Sequence, residues 1–146
     1  MKKPRYNRKM IMLCLALVIS LVLLIACQAS DAATVEVGQD NIVSVFPVIG
    51  EKKITGTRAG TVNGVPYKNL TYEARMISDD EIAQYIDALT GEGFVQIKDT
   101  IINGAEKTLQ LAKQSVQDGK LILVDILHNS TDHTVLKYSV EEGTIV

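Results

Sequence analysis

The chain has 146 residues, 47% of them hydrophobic and 22% charged, and a formal net charge of −2 at pH 7. That balance hides a division: five of the 15 cationic residues lie in the first nine positions and all 17 acids lie beyond Cys27, so the remainder carries ten cations against 17 acids, a net charge of −7. A domain this acidic lacks the basic footprint that nucleic-acid binding needs, is repelled by anionic polymers and lipid heads, and with two cysteines in the whole chain has no disulfide framework.

The first nine residues, MKKPRYNRK, carry Lys2, Lys3, Arg5, Arg8 and Lys9 and no acid, and from Met10 to Ala26 Ser20 is the one clearly polar side chain. A basic start followed by an apolar run is the pattern of an export signal, with the cationic end held in the cytoplasm. The run does not close on an A-x-A-like site; Leu24, Ile25 and Ala26 lead directly into Cys27. Those four residues resemble the lipobox of bacterial lipoproteins. The resemblance implies that residues 1–26 are a lipoprotein signal peptide, that a diacylglyceryl group is attached to the Cys27 thiol, and that cleavage makes Cys27 the mature N-terminus. Two acyl chains anchor stably where one is marginal, at about 0.8 kcal/mol per buried CH₂. Two other readings stay open. Met10 to Cys27 is 18 residues, close to the lower limit of about 17 for a membrane-crossing helix, and cleavage after Ala29 or Ala32 would release a soluble protein. On the lipoprotein reading Cys14 leaves with the signal, and no free thiol remains for a metal site or a nucleophile.

Residues 27–40 read as lipid anchor and tether, although Val35 and Val37 alternate with Thr34 and Glu36 as in a short strand. Residues 41–146 then form a single domain with one small core. NIVSVFPVI, rich in Val, Ile and Phe, reads as a strand. KKITGTRAGTV follows and ends at Asn63-Gly64, a two-residue hairpin signal. In NLTYEARMI, Leu70, Tyr72, Ala74 and Met76 alternate with polar residues, which predicts a strand buried on one face.

Ser78-Asp79-Asp80-Glu81 fits a capping box, and Ile82, Tyr85, Ile86 and Leu89 recur at helical spacing, so a helix is expected from Ser78 to a stop at Gly91. Beyond it come GFVQIKD, KTLQLAKQSV, an Asp118-Gly119 turn, KLILVDILH, the polar turn NSTD and HTVLKYSV. LILVDIL is apolar on both faces and belongs at the centre of a sheet. KTLQLAKQSV would also suit a helix, but the Asp-Gly turn after it favours a strand. The expected fold class is α+β: an antiparallel sheet of about six to seven strands with one helix packed on one face. DDEIAQYIDALTGEGFV, LQLAKQSVQDGKLILVDI and the closing EEGTI also resemble small uncharacterised lipid-anchored proteins of Gram-positive bacteria. That resemblance implies no activity.

Chemistry-bearing residues gather in one stretch. His128 and His133 flank the last turn, with Asp125 and Asp132 beside them. Two imidazoles and two carboxylates could bind a metal or move a proton, but their spacing fits no metal motif, and turns carry Asn, Asp, Ser and His for backbone reasons. Both rings are therefore expected to be surface filler. The acids Asp79, Asp80 and Glu81 are accounted for by capping. There is no G-x-S-x-G, no S-x-x-K and no phosphate loop. The expectation is a binding or interaction module on the extracytoplasmic side of the cell membrane, held by its N-terminal lipid, without cofactor, catalytic residue or bound nucleic acid, with an envelope protein as its possible partner. The alternative is an envelope-acting enzyme or metal-dependent accessory using Asp125, His128, Asp132 and His133.

Overall fold

The computed structural model describes residues 33–145. The expected signal peptide, Cys27 and the first part of the expected tether lie outside the described residues. Ten elements follow in order: β1 (Thr34–Val37), β2 (Asp40–Val43), α1 (Phe46–Ile49), β3 (Ile54–Val62), β4 (Val65–Tyr72), α2 (Asp79–Gly91), β5 (Val95–Asn103), β6 (Glu106–Gln114), β7 (Lys120–Asn129) and β8 (Thr134–Glu142). β1 and β2 form a two-stranded sheet, and the other six strands form an antiparallel sheet in the order β3-β4-β8-β7-β6-β5. The architecture is thus sheet-rich and antiparallel, as expected, but mostly β where an α+β class was expected. It has two helices among the described residues where one was expected, and its eight strands fall into two sheets where one was expected.

The hairpin signal at Asn63-Gly64 is realised. Asn63 has φ +52° and Gly64 φ +82°, the left-handed pair that matches the twist of flanking strands, and β3 and β4 pair across it from Val62 and Val65. LILVDIL lies in β7, between β8 and β6. KTLQLAKQSV forms strand β6 up to Gln114, in register with β7 from Glu106↔Asn129 to Gln114↔Leu121, and Ser115 and Val116 lie in the loop beyond it.

Two local readings are corrected and a third is refined. NIVSVFPVI is not one strand: β2 ends at Val43, and Pro47 sits in the first turn of α1, where its fixed φ fits and its missing N–H costs nothing. The run through NLTYEARMI stops at Tyr72, because Arg75 turns back at φ +63° and donates its N–H to the Asp132 carbonyl, leaving Met76 exposed. The helix ends at Gly91, as expected, but the left-handed residue that closes it is Gly93. Gly93 (φ +94°) donates to the Thr90 carbonyl and Phe94 to the Leu89 carbonyl, the paired bonds of a Schellman ending, with buried Leu89 and Phe94 as its apolar contact.

At the other end of α2 the capping box forms as read. Ser78 Oγ accepts from the Glu81 N–H at 3.3 Å, and the Glu81 carboxylate accepts from the Ser78 N–H at 2.9 Å. Ile82, Tyr85 and Leu89 are buried and Ile86 is half-buried against the core. That stripe shares one core cluster with the face of the large sheet called the front here, which is built by Leu70 and Tyr72 of β4, Leu136, Tyr138 and Val140 of β8, Ile122, Val124 and Ile126 of β7, and Leu109 and Leu111 of β6. Tyr85 Oη lies 2.9 Å from both the Val43 carbonyl and Tyr138 Oη, so one side chain ties α2 to β2 and to the sheet.

Thr34–Val37, inside the expected tether, is strand β1. Val35 and Val37 are buried in the front core with Ile42 and Val45. Gly38 (φ +64°) turns β1 into β2 tight against Pro66, where a Cβ would lie 3.2 Å from Cγ of that ring. Buried Asp40 then reaches the β6–β7 loop, accepting from Ser115 Oγ at 2.6 Å and the Val116 N–H at 2.9 Å. Hydrogen bonds to a charged acceptor are worth about 1.5–3 kcal/mol, so Asp40 pins the small sheet where it lies.

Candidate functional site

The four residues singled out around the last turn do not meet. Cross-strand partners in an antiparallel pair project to the same face, and β7 therefore sends Asp125 to the back and His128 to the front. Asp125 accepts a 2.6 Å hydrogen bond from Gln110 Nε2 on the back face. Asp132 is exposed in the turn, and exposed His133 places Nδ1 2.9 Å from the Tyr72 carbonyl and Nε2 3.7 Å from Asp132. No group of three or more His, Cys, Asp or Glu among the described residues is placed to hold a metal ion.

His128 corrects the expectation of surface filler. It is fully buried, at 0% exposure, with Nδ1 2.9 Å from Thr134 Oγ1 and Nε2 3.2 Å from Asp79 Oδ1. The Asp79 contact is close but off the line of a hydrogen bond, so Nε2 has no hydrogen-bond partner. Lys107 Nζ bonds the same carboxylate oxygen at 2.7 Å. Burial pushes the His128 imidazole below its ordinary value, against the opposing pull of Asp79, and the Lys107 hydrogen bond, with lesser help from His128, holds the Asp79 carboxyl low. The ring is neutral at pH 7. With its proton on Nε2 toward the carboxylate, Nδ1 accepts from the Thr134 hydroxyl.

Hydroxyl, imidazole and carboxylate in a line have the order of a nucleophilic triad. Thr134, however, is 2% exposed, and a nucleophile must reach its substrate. What the line does is join three elements: the first turn of α2 through Asp79, β7 through His128 and β8 through Thr134. No local pattern signals this link, because Asp79 reads fully as a helix-start acid and lies 49 positions from His128.

The back face is a second candidate. Arg58, Asn69, Lys137, Asp125, Gln110 and Lys98 stand in register across all six strands. Toward β6 and β7 this face is closed in, with Gln110 at 8%, Ala112 at 0% and Leu123 at 8% exposure. Toward β3, β4 and β8 it opens into a hollow of about 320 Å³ lined by Gly56, Arg58, Asn69, Thr71 and Val135. A broader depression, lined in part by Tyr67, Lys137 and Glu141, adjoins it through Asn69. The only legible signal was spacing: in strand β3, Gly56, Arg58 and Gly60 alternate onto one face.

Compared with known proteins, the chain matches no family, no curated protein and no solved structure. Among the described residues no helix is long and apolar enough to cross a membrane.

Proposed function

We propose that the protein is a binding module anchored to the cell membrane through a lipid on Cys27, with its domain on the extracytoplasmic side and its open sheet face available to a small ligand or an envelope protein. The finer fold reading goes with it: an α+β domain in which α2, the one helix longer than a turn among the described residues, covers one face and leaves the other free. The observation that carries the proposal is the open strip over β3, β4 and β8, where polar side chains line a hollow on a face that the core does not use. The basic start, apolar run and LIAC boundary support the anchor.

Mass spectrometry of the full-length product tests the anchor. A diacylglyceryl-modified N-terminal Cys27 is expected, and a peptide crossing Ala26-Cys27 in most molecules would overturn it. Crosslinking in intact cells tests the module, with a reproducible envelope partner expected. Turnover on cell-wall, peptide or phosphoester substrates that is abolished by Asp125→Asn or His128→Gln would favour an enzyme instead.

A further inference from the structure

We propose that the open end of the back face is an oxyanion site, which takes a phosphate or carboxylate group of a small ligand between Arg58 and Lys137. The proposal rests on the binding-module reading and gives that reading a ligand chemistry. Arg58, Asn69 and Lys137 are successive cross-strand partners on β3, β4 and β8. Strands lie about 4.8 Å apart, so the two cationic residues start about 10 Å from each other with an amide between them. Thr71, one step along β4 on the same face, adds a hydroxyl.

The side chains of these four residues make no hydrogen bond or ion pair with any described residue. Other cations are paired, Lys52 with Glu81, Lys53 with Glu73 and Lys107 with Asp79, while Lys68 and Lys98 stand without an acid beside them among the described residues. The nearest acid in the row, Asp125, is the register partner of Lys137, yet its carboxylate is bound by Gln110 and no ion pair closes across the two strands. Arg58 thus stands without an acidic partner in the hollow it lines, and Lys137, in the adjoining depression with Asp125 and Glu141, closes no ion pair with either. A guanidinium offers paired N–H donors that match the geometry of carboxylate and phosphate.

The glycines supply the room. Gly56 and Gly60 flank Arg58 on the same face, and neither has the positive φ that would require glycine for backbone reasons. Glycine inside a strand weakens it and marks places of close approach. At Gly60 the space belongs to the Tyr67 ring, which would lie 3.4 Å from an added Cβ. At Gly56 the neighbouring atoms are those of Thr71, 3.5 Å from such a Cβ, so a side chain would fit there and would occupy the hollow beside the guanidinium.

The test is nuclear magnetic resonance of the full chain in detergent micelles, following the Arg58 Nε–H and Asn69 side-chain amide signals at constant ionic strength. Sodium phosphate and sodium succinate are titrated separately. A saturable shift with either probe is expected, and the tighter one identifies the oxyanion. Arg58→Gln and Gly56→Val should each weaken binding about tenfold or more, the second with the charge intact, while Lys98→Gln at the far end of the row should leave it unchanged. No saturation with either probe, or equal weakening by Lys98→Gln, would overturn the site. A partner still trapped by crosslinking in that case would leave the binding module standing and the oxyanion site refuted.

Discussion

Along β7, Ile122, Val124, Ile126 and His128 point into the core, whereas Leu121, Asp125, Leu127 and Asn129 between them are only half-buried on the other face. The same strand thus meets two environments, and the two sets obey different rules. On the front every side chain is held by neighbours from several elements, and even its histidine is enclosed. On the back the β7 side chains other than Leu123 are partly open to solvent, so identity there is freer to follow a ligand. What this contrast teaches is where substitutions should be costly for folding and where they should matter only for binding.

The largest expected effect is on the front. Ile126→Ala should cost about 2–5 kcal/mol, the range for emptying a buried aliphatic site, read as a shift in the urea midpoint. Leu127→Ala, one residue along and half-buried, should cost less than half as much. If the two changed places, the assignment of faces would be wrong.

A polar anchor tests the same contrast more finely. Asp40→Ala removes the acceptor for Ser115 Oγ and the Val116 N–H, and should cost about 1.5–3 kcal/mol. Hydrogen exchange should quicken first at Val116 and its loop. Uniform loosening would mean that the small sheet is held by its apolar contacts alone.

The two histidines give the next contrast. His128→Gln removes a buried ring and leaves Thr134 Oγ1 without its partner, for about 1–3 kcal/mol, whereas His133→Gln on the exposed turn should stay within about 0.5 kcal/mol. Equal effects in a denaturant series would return His128 to the surface role that its sequence neighbourhood suggested.

Most of the strand plan and the long helix were legible because their cues are local. Period-two alternation, Asn63-Gly64 and the Ser78 box each act within a few residues, and backbone geometry enforces them. What stayed hidden depends on residues distant in sequence. Asp79 and His128 meet because the first turn of α2 packs beside β7, and the row from Arg58 to Lys98 exists because five registers agree. The misread NIVSVFPVI had its own warning in Pro47, which cannot donate within a strand. Asn103-Gly104 is a second hairpin cue: Gly104 adopts φ +62° where β5 turns into β6.

The smallest expected effect is a pH dependence confined to the front. Burial lowers the His128 pKa in the folded state from its ordinary 6.5, so between those two values the unfolded chain binds a proton that the folded chain does not. Stability is therefore fully present above about 6.5 and declines as pH falls from there toward the lowered value. The groups facing the ring set its size: Asp79 from α2 pulls the pKa up and Lys107 from β6 pushes it down, both less than burial does. Asp79 itself, held low chiefly by Lys107, contributes in a separate window, losing its part only as pH falls below 3.8. Urea midpoints measured from about pH 7 to about pH 5 should fall in the native protein and flatten in His128→Gln. Asp79→Asn removes the group that favours the imidazolium, so it should steepen the decline. A slope that survives His128→Gln would assign the effect to another group and break the link between α2, β7 and β8.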